Sequence, residues 1–109
     1  MNKRAKGMRI EKKARDLLIK DGYLVEKKNW NKFESPDFWG LFDIIALKND
    51  EVRLIQIKSN KSGFYTARKE IHSWVNINSV KVSCEVWLYL GRNKWRIEVL
   101  ESISNEKTP

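Results

Sequence analysis

Asp43 opens the aliphatic run FDIIALK, and Gln56 and Lys58 close the next one, EVRLIQIK. Polar groups at these places are out of keeping with buried strands, and their types suit phosphate chemistry. A carboxylate and an amide offer hard oxygens to Mg2+, which keeps waters and phosphate oxygens in its shell, while a lysine can neutralise a phosphate or orient a water. Gln56 and Lys58 are two positions apart and share a face in any regular strand. With Asn49 and Asp50 at the centre of a tight turn, Leu47 lies opposite Val52, Ile45 opposite Leu54 and Asp43 opposite Gln56. Directly opposed β-carbons approach to roughly 5 Å. A longer loop would shift this register and turn side chains to the other face; the shared face of Gln56 and Lys58 survives such a shift.

A fourth polar group comes from the leading helix. Residues 5–21 place Ala5, Met8, Ile10, Ala14, Leu17 and Leu18 on one apolar face, and Glu11 falls at its edge, one turn before Ala14. Packed on a sheet, that helix carries Glu11 toward Asp43, where an ionised carboxylate needs a cation or donors beside it. Glu11, Asp43, Gln56 and Lys58 together form a candidate site for metal-assisted phosphodiester hydrolysis. Singly, each has a plainer reading: Asp43 as a strand-start acceptor, Gln56 and Lys58 as strand-end residues, Glu11 as a partner of Arg15 one turn on.

The elements that must position these groups follow in a simple order. Gly22 ends the first helix, YLVEKK is a strand, NKFESPDFWG a loop, and FDIIALK and EVRLIQIK a hairpin. KSGFY turns into a second helix over 67–78, with Ala67, Ile71, Trp74 and Val75 as its apolar stripe, and VSCEVWLYL and KWRIEVL flank the turn GRN. Burying these faces calls for an α/β fold with a central mixed sheet of about five strands flanked by helices. Residues 1–109 make one domain of ordinary size, with 102–109 read as a flexible tail.

Lys and Arg number 22 against 14 Asp and Glu, for a formal charge of +8 and a pI near 9.7. Such a surface attracts polyanions, nucleic acid before acidic membrane. Lys3, Arg4, Lys6, Arg9, Lys12 and Lys13 are candidate phosphate contacts, as are Lys61, Arg68 and Lys69, although a charged helix run is also an ordinary solvated face. Trp30, Phe33, Phe38 and Trp39 can stack on bases or wedge into a junction, or else pack in the core or at a dimer contact. The single cysteine, Cys84, forms no internal disulfide, and no signal peptide or membrane-length apolar run is present, which fits a cytoplasmic or otherwise intracellular location away from membranes. His72 has no other histidine or cysteine near it in sequence. Phosphate-binding P-loops, dinucleotide glycine fingerprints and zinc-finger cysteine patterns are missing, which excludes those routine classes.

GMRIEKKARDLLIKDGYLV, FDIIAL and LIQIKS, in this order over roughly residues 7–80, resemble the PD-(D/E)xK nuclease superfamily, and more narrowly the small archaeal-type Holliday-junction resolvases and their phage relatives. The resemblance implies a restriction-endonuclease-like core and a catalytic set of Glu11, Asp43, Gln56 and Lys58. In that set Glu11, Asp43 and Gln56 hold Mg2+, or Mn2+ in its place. It further implies attack of a metal-activated water on phosphorus, with Lys58 stabilising the developing charge and one or two ions serving, to leave 5′-phosphate and 3′-hydroxyl ends. The family often has glutamate where Gln56 stands, so one negative charge is missing. The literal dipeptide Pro36-Asp37 precedes Asp43; Asp43 is preferred because IIAL and the hairpin follow it, and Asp37 is kept as a further ligand candidate. The implied partner is DNA, as a four-way junction or other branched form, bound by a homodimer whose paired sites cut opposing strands. Two other readings stand beside this one: a noncatalytic nucleic-acid-binding module on a nuclease scaffold, and an assembly protein using its aromatic loop and apolar strands.

Overall fold

A computed structural model describes residues 3–27 and 37–101. Trp30, Phe33 and the 102–109 tail lie outside the described residues, as do the side chains of Lys3 and Arg4. Helix α1 spans Lys3–Lys20. Ile10, Ala14 and Leu18 are buried, each one turn from the next, whereas Ala5, Met8 and Leu17 stay exposed. The apolar face is therefore narrower than the periodicity predicts, because the helix meets the sheet along one line with the small Ala14 among its buried contacts. Its end is a Schellman turn: Tyr23 N–H donates to the Leu18 carbonyl and Gly22 N–H to that of Ile19, each at 3.0 Å. Gly22 takes the left-handed conformation this requires, φ 95°.

Strands β1 (Leu24–Lys27), β2 (Ile44–Lys48) and β3 (Glu51–Lys58) form an antiparallel meander, and helix α2 (Lys61–Asn78) crosses over to β4 (Ser83–Gly91), which runs parallel to β3 and antiparallel to β5 (Lys94–Leu100). The order across the sheet is β1-β2-β3-β4-β5. Leu47 faces Val52 and Ile45 faces Leu54, as the turn at Asn49-Asp50 predicts. The ladder ends one residue earlier than that prediction, at Ile44 opposite Ile55. Because strand side chains alternate, β3 feeds both layers: Leu54 joins Phe64, Ala67, Ile71 and Val86 on the α2 side, and Ile55 joins Ala14, Leu18, Ile44 and Trp87 on the α1 side.

α2 begins at Lys61, not at Ala67, so KSGFY is helix rather than a turn. The Asn60 side chain accepts from Gly63 N–H at 2.8 Å and caps it. Gly63 in the first turn masks the start, since glycine is a poor helix former. The buried stripe is Phe64, Ala67, Ile71 and Val75, with Trp74 only half-buried. Asn60→Ala should cost about 1 kcal/mol, as loss of such a cap usually does, read as a lower urea midpoint at unchanged m-value.

A buried ion pair lies on the α1 face. Arg53 forks onto Glu85 with two 2.8 Å bonds, and Glu85, 1% exposed, also accepts from Ser83 Oγ and Trp87 Nε1. Burial alone would raise the Glu85 pKa, but these hydrogen bonds outweigh it and hold the carboxylate below its usual range. Two helices on opposite faces of a five-stranded mixed sheet make a restriction-endonuclease-like core.

Candidate functional site

A cleft of about 370 Å³ opens where α1, the end of β3 and the start of α2 meet, and Glu11, Asp43 and Lys58 all line it. Each arrives from a different element. Glu11 stands one residue after buried Ile10, at the edge of the packed stripe of α1; Lys58 is the last residue of β3. Asp43 stands just before β2, where its N–H donates to the Ile55 carbonyl and its carboxylate accepts from Ile57 N–H, both at 2.8 Å. The side chain thus completes the ladder where the backbone leaves it, which is the plainer role foreseen for Asp43, while still lining the cleft.

Asp37 reaches the same place. Phe38 and Phe42 pair through reciprocal backbone bonds of 2.7 and 3.0 Å, so the residues flanking that bridge, Asp37 and Asp43, are brought side by side. The connecting turn is tight, with Trp39 at φ 54° and Gly40 at φ 70°. A left-handed tryptophan is strained, and its ring is held by packing on Trp74 and Phe42 at centroid distances of 5.7 and 6.4 Å. The Asp37 carboxyl hydrogen-bonds to Asp43. Burial, that hydrogen bond and the negative charges of Asp37 and Glu11 together push the Asp43 pKa from 3.8 to about 8, against the lowering pull of Ile57 N–H. Burial likewise raises the pKa of Glu11, opposed by Arg15 and Lys27. Among the described residues no group of three or more His, Cys, Asp or Glu side chains is arranged to hold a metal ion. Glu11 and Asp43, both with pKa values raised in the cleft, nevertheless present the electrostatic situation a cation relieves.

Gln56 sits behind Lys58 rather than in the cleft lining. With its amide oriented to satisfy both neighbours, the nitrogen donates to the Leu41 carbonyl and the oxygen accepts from Lys58 Nζ at 3.3 Å. Lys6, Arg9 and Lys13 line a second cleft that adjoins the first. Lys12 pairs with Asp16 at 2.8 Å on the exposed side of α1. Lys61 opens α2, Arg68 is engaged by Glu98 and the Tyr65 ring, and Lys69 lies by Trp39 and Trp74 in a shallow depression on α2. Phe38 packs against the α2-side core, while Trp39 is 62% exposed. His72 is exposed and Cys84 buried, its thiol pushed up to about 11 by burial and by Glu85. No helix among the described residues is long and apolar enough to cross a membrane.

No protein-family profile matches the chain. A UPF0102 protein of Fusobacterium nucleatum is 38% identical over 68 residues, 59% of this chain and 52% of that protein, so the chain spans about half the length of this relative. The structure of Archaeoglobus fulgidus Hjc, a Holliday junction resolvase from an archaeal hyperthermophile, is similar with a TM-score of 0.59 over 86% of this chain and 72% of its own, at 20% identity. Such a likeness establishes the shared fold.

Proposed function

We propose that the chain is a metal-dependent DNA endonuclease that hydrolyses phosphodiester bonds in branched DNA such as four-way junctions. The observation that carries this is the meeting of Glu11, Asp43 and Lys58 in one cleft on a nuclease-like scaffold. A basic chain of charge +8 supplies attraction for the substrate. The donor set suits a hard divalent ion, because the cleft raises the pKa of both Glu11 and Asp43 and a cation between them relieves this. Glu11 and Asp43, which line the cleft, would hold it, with Asp37 beside Asp43. When bound, Mg2+ or Mn2+ supplies a polarised phosphate and a water of lowered pKa. Lys58 pairs its ammonium with a phosphate oxygen, and Gln56, anchored on Leu41, keeps that ammonium aimed. The products would carry 5′-phosphate and 3′-hydroxyl ends. A homodimer is part of the proposal, since paired sites are what a two-fold junction requires.

The test is incubation of wild type and Lys58→Ala with labelled four-way junction, flap, duplex and single-stranded DNA, with Mg2+ or with EDTA. Cutting of branched DNA by wild type with Mg2+ is expected, lost in EDTA and reduced about a hundredfold or more in Lys58→Ala, the loss typical of removing one transition-state charge partner. Absence of cutting on every substrate, with binding retained, would instead favour the noncatalytic binding module, a reading to which the lack of a three-ligand group among the described residues lends weight.

A further inference from the structure

Gly7 lies within the 18-residue α1, where glycine is the least favourable residue after proline. A Cβ placed on it meets no described atom within 4 Å. Gly63, by contrast, has an internal reason to be bare: a Cβ there would come within 3.2 Å of Asn60 Oδ1 and 3.3 Å of the Lys58 chain. Gly7 is exposed and forms part of the α1 wall of the carboxylate cleft. Packing against described atoms thus gives no reason for a destabilising residue at this point, whereas close approach of a ligand to bare backbone does.

The second cleft, of about 350 Å³, shares Ile10 and Ser59 with the first and continues along α1 toward the β4–β5 turn, with Lys6, Arg9 and Lys13 on its wall. Lys13 Nζ is steadied by Asn93 Oδ1 at 3.3 Å. One trough therefore carries carboxylates at one end and three cations at the other. That polarity suits a chain of phosphates rather than a mononucleotide, because the cations lie beyond the reacting end. We propose that a single nucleic-acid strand lies in this trough, passing closely over the backbone of Gly7 and held beyond it by Lys6, Arg9 and Lys13. The proposal rests on the hydrolytic reading only for which phosphate occupies the first cleft.

The experiment measures binding of fluorescein-labelled single-stranded and junction oligonucleotides by anisotropy in EDTA across a salt series, beside thermal melts and Mg2+ cleavage. Gly7→Ala and Gly7→Leu should melt at or above wild type, since both residues favour helix. Gly7→Leu should bind about tenfold more weakly, with Gly7→Ala between. Lys6→Ala and Lys13→Ala should each reduce the salt slope by about one, and Lys20→Ala, at the far end of α1, should change it less. Gly7→Leu and Lys13→Ala proteins that bind and cut as wild type does would overturn the trough while leaving hydrolysis standing. Wild-type binding with these losses but no cleavage would overturn hydrolysis and support the trough, and absence of any oligonucleotide binding would overturn the trough outright.

Discussion

Metal-free Asp43→Asn protein is expected to melt about 5 °C or more above wild type at mildly alkaline pH, while losing cleavage. Asparagine reproduces the protonated acid: its oxygen can accept from Ile57 N–H as Asp43 does now, and its nitrogen can donate to Asp37. In wild type the carboxyl ionises near pH 3.8 in the unfolded chain but only near about 8 when folded. Across that window the unfolded state releases a proton that the folded state retains, so stability falls as pH rises through it and levels off above. Complete burial would make this about 4 kcal/mol at neutral pH; water in the open cleft screens the charges, leaving about 1–3 kcal/mol. Melting curves of both proteins in EDTA should therefore coincide at strongly acid pH and separate steadily up to about pH 8. Parallel curves would show that Asp43 is not a destabilised carboxyl. Mg2+ bound at the proposed site should raise the wild-type midpoint and leave that of the variant unmoved, because only a ligand that binds the native state stabilises it.

Glu85→Ala should cost about 3–5 kcal/mol, the usual result of removing one member of a buried pair. The Arg53 guanidinium would keep its place between the Tyr23 and Trp87 rings, 5.1 and 5.7 Å away, with its carboxylate gone, and Trp87 Nε1 would lose its acceptor. Replacing both charges with apolar residues, Arg53→Met with Glu85→Leu, should recover most of that loss, since no charge is then left without its partner. Urea unfolding of the single and double variants checks this, and a double variant as weak as the single one would show that the pair itself is strongly stabilising. Because the folded pKa of Glu85 is depressed, the pair's contribution is present above the unfolded carboxyl value and is lost as pH falls through the folded one. Acid should thus remove less stability from the double variant than from wild type.

Much of this protein was legible in one dimension. The aliphatic and β-branched richness of FDIIALK and EVRLIQIK marked two strands, a tight turn at Asn49-Asp50 gave their register as far as Ile44 opposite Ile55, and Gln56 and Lys58 had to share a face because strand geometry has a period of two. Local signals misled only where a local rule was outweighed: Gly63 disguised the first turn of α2, which a cap at Asn60 sustains, and Met8 and Leu17 have helical spacing but no sheet beneath them.

What sequence could not settle concerns residues whose meaning comes from a distant neighbour. Pro36-Asp37 reads as loop, and only the Phe38–Phe42 bridge sets its carboxylate against Asp43. Glu85 sits in an apolar strand, where its neighbours Ser83 and Trp87 supply hydrogen bonds but no charge; Arg53 neutralises it from across a parallel ladder. Chain periodicity specifies which side of an element a residue occupies, because that depends on backbone geometry alone. Which charges meet, and what those meetings do to their protonation, depends on how separate elements dock, and only the tertiary structure decides that.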